Sequence, residues 1–253
     1  MADRPTLLFH LSDLHFGVED GRALAACAEA VQRLRPDALI CTGDLTQRAT
    51  HRQYALAREW FAALGVPVML AVGNHDMPYY NPLERFREPY KRYHALTGSV
   101  ASEIELAHAV LVPLDTNVRA QLRFPWSDGV IRRRKLAATL ARLEELRCDP
   151  RLKIVVCHHP LLPAQESARN PTIRGEMAFA ALAKAGAHAV MSGHVHVPFD
   201  LTRVRGNRAM RMIGAGTLST RLRGAMPSWN LVTIADGEIE VETHYPLGQE
   251  FMR

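Results

Sequence analysis

An α/β domain with two sheets packed between helices is the fold that this 253-residue sequence predicts. Three observations predict it. Apolar runs of strand length alternate with segments of helical spacing, which is the pattern of α/β layers. Strand-like segments then dominate the last part of the chain, which calls for a second sheet. No Pro/Ser linker, composition break or repeat divides residues 1–253, so a single domain is expected.

In chain order, the apolar run Thr6 to Leu11 precedes helical spacing over Arg22 to Arg35, and Asp37 to Thr42 precedes a helix over Thr50 to Leu64. Val66 to Val72 leads into one long helix over Asn81 to Leu96, and Glu103 to Asp115 reads as further strand. Arg132 to Arg147 is amphipathic, with its basic start (Arg132, Arg133, Arg134, Lys135) expected to be a solvated face rather than a nucleic-acid patch. Leu152 to Cys157 and His188 to Met191 are strands separated by a helix over Gly175 to Lys184, and most of Leu201 to His244 is strand joined by short Gly, Asn and Asp turns. Continuous apolar runs of this kind suit strands buried on both faces.

Composition bounds the function. With 47% hydrophobic and 23% charged residues, global disorder is excluded. The longest apolar stretch, Leu64 to Gly73, is far shorter than the ~20 residues that cross a bilayer. Met1 to Phe9 lacks a signal-peptide pattern, so a soluble cytoplasmic protein without membrane insertion is expected. Cys27, Cys41, Cys148 and Cys157 show no C-x-x-C spacing and are expected to be buried free thiols. The net charge of +5 favours anionic partners without requiring nucleic acid.

Chemistry concentrates where the apolar runs stop. The five strand ends carry Asp13-Leu14-His15, Gly43-Asp44, Gly73-Asn74-His75-Asp76, His158-His159 and Gly193-His194-Val195-His196. Ligands of open α/β sheets bind beyond the carboxyl ends of strands, which would bring all five clusters to one rim. Imidazoles mixed with a few oxygen ligands suit Mn, Fe or Zn rather than Mg or Ca. Asp13, His15, Asp44, Asn74, His158, His194 and His196 make seven candidate ligands, more than one ion needs. A shared carboxylate such as Asp44 could hold two ions ~3.5–4 Å apart.

Two divalent ions, the carboxylates of Asp13 and Asp44 and a bridging hydroxide leave a charge near +1, which attracts a phosphate ester. Metals so placed lower the pKa of bound water to about 7 and stabilise the phosphoryl oxygens. His75 is then free for proton work or transition-state stabilisation, with Asp76 beside it to orient its ring. The charge count favours a diester over a monoester dianion, a preference that one well-placed arginine would reverse.

The ordered set D-x-H, G-D, G-N-H-D, H and G-H-x-H over residues 6 to 217 resembles the calcineurin-like metallophosphoesterases. The resemblance implies the metallo-dependent phosphatase fold, a four-layer α/β/β/α sandwich of two mixed sheets flanked by helices. It also implies an enzyme in which Asp13, His15, Asp44 and His196 hold one ion and Asp44, Asn74, His158 and His194 the other, with His159 outside the site. The cofactors would be two divalent or mixed-valence ions, Mn2+, Fe2+/Fe3+ or Zn2+. Gly43 to Thr46 and Cys157 to Pro160 look most like the bacterial class III cyclic-nucleotide phosphodiesterases. The expected substrate is therefore a small phosphodiester such as a 3′,5′-cyclic nucleotide, attacked by a metal-bridging hydroxide. Phosphomonoesterase and nucleotide-pyrophosphate hydrolase are the alternatives.

Gln47 stands where purple acid phosphatases would place a metal-binding tyrosine, which disfavours an iron(III)-phenolate site. The chain ends soon after the expected sandwich, so a DNA-gripping cap and nuclease activity are disfavoured, and complete ligands argue against a non-catalytic interaction protein. The sequence admits a homodimer. Arg221 and Arg223 are more readily read as exposed residues near a turn than as phosphate contacts. Tyr79, Tyr80, Phe86, Tyr90 and Tyr93 could form a base-stacking wall, although helix packing is the simpler role. His10, His51, His94, His108, His188 and His244 lack motif context and read as structural or surface residues.

Overall fold

Paired strands supply the frame of the computed structural model, which describes residues 4–98, 102–121, 126–165, 172–205, 208–246 and 248. The chain runs through β1 (Thr6–Leu11), α1 (Gly21–Leu34), β2 (Ala38–Cys41), α2 (His51–Leu64) and β3 (Val68–Leu70). It continues through α3 (Pro82–Arg87), α4 (Lys91–Thr97), β4 (Ile104–Glu105), β5 (Ala109–Pro113), β6 (Gly129–Val130), α5 (Arg133–Glu145), β7 (Leu152–Val156), β8 (Thr172–Ile173) and α6 (Gly175–Lys184). The last part is β9 (Ala189–Ser192), β10 (Phe199–Arg205), β11 (Arg208–Gly214), β12 (Trp229–Ala235) and β13 (Glu238–His244). Residues 206 and 207, within the strand-rich stretch expected from sequence, lie outside the described residues.

Two mixed sheets result, in the orders β13-β12-β1-β2-β3 and β10-β11-β9-β7-β5-β4. β1, β2 and β3 are parallel, as are β5, β7, β9 and β11, so their carboxyl ends face one way within each sheet. Strand period then sorts the core. Leu8 joins Ile40, Ile154, Met191 and Val232 between the sheets, whereas Phe9 and Leu11 face α1 and α2 with Leu24, Val31 and Phe61. Val110, Val155 and Val190 meet Leu136, Phe179 and Leu182 of α5 and α6 on the opposite side. Helices, sheet, sheet and helices are thus separated by three apolar interfaces, the four-layer arrangement expected from the resemblance. Burial on both faces explains why the central strands read as uninterrupted apolar runs.

Helix limits follow local chemistry. Asp20 caps α1 by accepting from the Arg22 and Ala23 amides. Thr50 and Gln53 form a capping box on α2, and Gly65 ends it in the left-handed region. The single helix expected over Asn81 to Leu96 is two, α3 and α4, because Pro89 has no N–H to continue the ladder. A two-stranded parallel ladder, β6 with β8, was not expected from sequence. Cys27, Cys41 and Cys157 are buried free thiols, but Cys148 is exposed, because it follows α5 in a surface turn rather than a packed strand. The expected aromatic group divides: Tyr93 is in the core and Tyr90 packs against it, whereas Tyr79, Tyr80 and Phe86 are exposed. Among the described residues no helix is long and apolar enough to cross a membrane.

Candidate metal centre

Backbone bonds tie the loop after β1 to that after β2 and the loop after β7 to that after β9, and side-chain bonds join these pairs to each other and to the loop after β3. The Asp13 amide donates to the Gly43 carbonyl (3.0 Å), the His15 amide to Asp44 (2.9 Å) and the Gly193 amide to His158 (2.9 Å). This lattice holds five of the candidate ligands in the left-handed region: Asp13 (φ 55°), His15 (47°), Asp44 (52°), His194 (68°) and His196 (61°). Non-glycine residues there are strained by about 1–3 kcal/mol each and persist only where the surroundings over-determine them. The neighbouring glycines permit the close approach. A Cβ on Gly73 would lie 2.1 Å from the Asp44 amide nitrogen, and one on Gly193 would lie 1.7 Å from Ser12 Oγ.

All seven candidate ligands come together. His196 Nε2 is 3.0 Å from Asp13 Oδ1, and His15 Nε2 is 3.6 Å from the same oxygen and 3.7 Å from Asp44 Oδ2. On the other side of Asp44, His158 Nε2 is 3.5 Å from Oδ2 and 3.1 Å from Asn74 Oδ1. The His194 ring meets that of His158 edge-on, with centroids 5.2 Å apart. Asp44 Oδ2 therefore faces both halves of the cluster, while its Oδ1 accepts the His75 amide (2.8 Å).

The hydrogen-bond pattern fits a cation. His158 Nδ1 lies on the Thr42 carbonyl (2.8 Å), and His196 Nδ1 on the Arg221 carbonyl. A carbonyl carries no proton, so each Nδ1 must donate, and in the neutral ring Nε2 then turns a lone pair toward the cluster. Asp13 Oδ2 accepts from Ser12 Oγ and the His194 amide, but its buried Oδ1 receives no hydrogen bond. Around Asp13 and Asp44, imidazole nitrogens and carboxylate oxygens thus converge on one buried spot, an arrangement that positive charge resolves, whether an ion or a proton carries it. The pKa shifts show the same demand for positive charge, met by a proton on His158 where no ion supplies it. Burial opposes ionisation of Asp13 and Asp44, yet the surrounding imidazoles hold both carboxyls well below the usual range. Burial likewise opposes charge on His158, but the Asp44 carboxylate pushes it up to about 9, whereas burial and the His158 charge bring His194 down to about 3. This nitrogen and oxygen donor set fits transition-metal ions.

The His159 ring lies 4.5 Å from that of His194, centre to centre, but both its nitrogens have partners: Nε2 donates to the Ser127 carbonyl (2.8 Å) and Nδ1 pairs with Thr116 Oγ1 (2.7 Å). The expected orientation of His75 by Asp76 is not what the fold does. His75 Nδ1 donates to the Gln47 carbonyl (2.9 Å). Asp76 instead accepts from the Leu45, Thr46 and Gly73 amides, because the 3-10 turn Asn74–Asp76 points adjacent side chains in different directions. Burial and the Asp44 charge push Asp76 up to about 7, against those three N–H groups.

Arg221 is the residue that sequence reasoning underweighted. Its Nη1 lies 3.0 Å from His75 Nε2, 3.3 Å from His15 Nε2 and 3.4 Å from Gln47 Oε1. Arg223 Nη1 donates to the His194 carbonyl (3.2 Å) and so braces the ligand backbone. The available signal was position: both arginines follow the turn after β11, whose parallel neighbour β9 leads into the G-H-x-H loop.

Fold and site together define the class of metallo-dependent phosphoesterases. The chain belongs to the calcineurin-like phosphoesterase family, whose model matches residues 7–198. Over 183 residues it is 33% identical to the glycerophosphodiester phosphodiesterase GpdQ of Enterobacter lignolyticus, a match covering 65% of this chain and only 60% of that protein. Over 252 residues it is 26% identical to the 3′,5′-cyclic adenosine monophosphate phosphodiesterase CpdA of Pseudomonas aeruginosa, covering 93% of this chain and 85% of that one. A dimetal phosphatase from Danio rerio has the same fold, with a TM-score of 0.71 at 14% identity over 98% of this chain and 99% of that one. Family and clustered ligands together imply a dinuclear transition-metal site.

Proposed function

We propose that the protein hydrolyses a small phosphodiester, with a 3′,5′-cyclic nucleotide as the leading substrate and Mn2+, Fe2+/Fe3+ or Zn2+ as the metals. Asp44 carries the reading, because its Oδ2 faces His15 and His158 from opposite halves of the cluster. Asp13, His15, Asp44 and His196 would hold one ion, and Asp44, Asn74, His158 and His194 the other. When bound, such ions supply an activated water nucleophile and neutralise charge on the phosphoryl oxygens. His75 is pinned at Nδ1, and its Nε2, which accepts from Arg221 Nη1 in the neutral ring, would on protonation give up that contact and donate to the leaving alkoxide. Burial lowers the His75 pKa, which makes it a stronger acid when protonated. Asp76 acts indirectly, by holding together the loops that carry Asp44 and Asn74.

The diester assignment rests on the activities in the names of GpdQ and CpdA. The charge count no longer selects it, because Arg221 adds a permanent positive charge beside His75. That arginine favours a second reading, a phosphomonoesterase, since a dianion's extra charge needs such a donor. Quantifying bound metal and then comparing kcat/KM for bis(4-nitrophenyl) phosphate and 4-nitrophenyl phosphate tests both. The expected result is two metal equivalents and a faster diester. A faster monoester moves the protein to the second reading, and absence of metal removes both. Cyclic nucleotides and DNA in the same panel test the leading substrate and the disfavoured nuclease.

A further inference from the structure

Beside the metal cluster lies a cleft of about 490 Å³ lined by Asn74, His75, Tyr79, Arg85, Phe86 and Trp126. Its rings are open to water: Tyr79, Phe86 and Trp126 are 60%, 53% and 60% exposed. Large apolar rings grouped at the surface forgo the burial that normally stabilises them, and such patches mark contact sites. The backbone that carries these rings is held in place. Arg85 Nε donates to the Arg119 carbonyl (2.8 Å) and Nη1 to the Pro78 carbonyl (3.3 Å). Arg119 Nη1 returns a bond to the Phe86 carbonyl (2.7 Å), so α3 and the Tyr79 turn are cross-linked. The Arg48 guanidinium sits 4.4 Å from the centre of the Tyr79 ring. The His159 bond to the Ser127 carbonyl ties the backbone next to Trp126 to the metal cluster.

The occupant is constrained by what it must touch. His75 and Asn74 belong both to the cleft and to the metal centre, so a group filling the cleft is within reach of a phosphate held at that centre. Accessible rings on a braced backbone favour a flat partner, because stacking on them gains contact area and requires no rearrangement of the backbone. We propose that this cleft takes a planar aromatic group carried on the phosphate ester, stacked among Tyr79, Phe86 and Trp126. These three residues then select aromatic over aliphatic esters. The proposal rests on the phosphoesterase reading above.

The test measures binding to the metal-loaded protein by calorimetry, using phosphonates because their C–P bond is not hydrolysed by phosphoesterase chemistry. Phenylphosphonate should bind at least about tenfold more tightly than ethylphosphonate of equal charge. Phosphonate analogues of adenosine 5′-phosphate and ribose 5-phosphate form a second pair and distinguish a nucleobase from a simple aryl ring. A gap in either pair that Trp126→Ala or Phe86→Ala narrows supports the proposal. Trp126→Ala and Phe86→Ala, each checked for folding by melting, should bring the aromatic ligand toward its aliphatic counterpart. Equal affinities within both pairs, or a gap that neither substitution moves, overturn the aromatic cleft while leaving the phosphoesterase reading intact. Failure of every phosphonate to bind overturns that reading and the inference with it. Self-association abolished by Trp126→Ala would assign the cleft to a second copy instead and also overturn the proposal.

Discussion

Asp44 divides its two oxygens between different tasks, one fixing the His75 amide and the other facing two imidazoles from opposite sides. Asp44→Ala is therefore expected to lose metal and activity together, read by metal analysis alongside turnover. A variant keeping two metal equivalents and normal turnover removes the bridging role. His75 meets the cluster through the Asp44 bond to its amide and the edge of the His15 ring, but its Nδ1 is on the Gln47 carbonyl and its Nε2 against Arg221, so His75→Ala should keep its metal. Its kcat should fall by ~10²–10⁴, the range for a lost general acid. The fall should shrink on esters that release 4-nitrophenolate, which needs little protonation. An equal fall on poor and good leaving groups removes the proton-donor role and leaves electrostatic stabilisation. The ligand candidates were legible because residue type limits chemistry: histidines and carboxylates ending buried strands have few other uses. Arg221 was not, since arginines are common near turns and only the packing of the segment after β11 carries this one to His75.

At the scale of elements, the site depends on short connections that bond to each other rather than to their own strands. The Asn74–Asp76 turn is the clearest case, because Asp76 satisfies the amides of Leu45, Thr46 and Gly73 from two separate loops. Asp76→Ala leaves three donors without that acceptor and is expected to lower unfolding stability by at least about 2 kcal/mol. Asp76→Asn keeps one acceptor oxygen and should lose less, which urea melts of the two variants would resolve. Identical melts for wild type and Asp76→Ala would show that the clamp contributes nothing. Sequence neighbours gave the wrong partner here, since adjacency of Asp76 to His75 says nothing about direction inside a tight turn. The same limit applies elsewhere. The central strands were legible as apolar runs, and the break between α3 and α4 could have been read from Pro89. The β6–β8 pair could not, because two-residue strands have no period and their partners are remote in sequence.

For the whole molecule, the interface between the two sheets contains a polar group that the sequence treated only as structural. His10, on β1, is fully buried. It pairs with Thr42 Oγ1 (3.2 Å) and the Asn230 side chain (3.4 Å), while Ser192 of the other sheet contacts it through its backbone. Burial brings its pKa from 6.5 down to about 3, with the Ser192 hydrogen bond opposing weakly. The folded protein therefore keeps this ring neutral between those values, whereas the unfolded chain protonates it. Stability from His10 is complete above pH 6.5 and is lost progressively as pH falls toward 3. At pH 5.5 the loss is on the order of 1 kcal/mol. His10→Gln retains hydrogen-bonding capacity without titrating, so its stability should fall less than that of wild type between pH 7.5 and 5.5. Proton competition for the metal ligands steepens both curves alike, which makes the difference between the two proteins the measure of His10. Parallel curves would mean that the ring is protonated in the folded sandwich and that the interface between the sheets admits the charge.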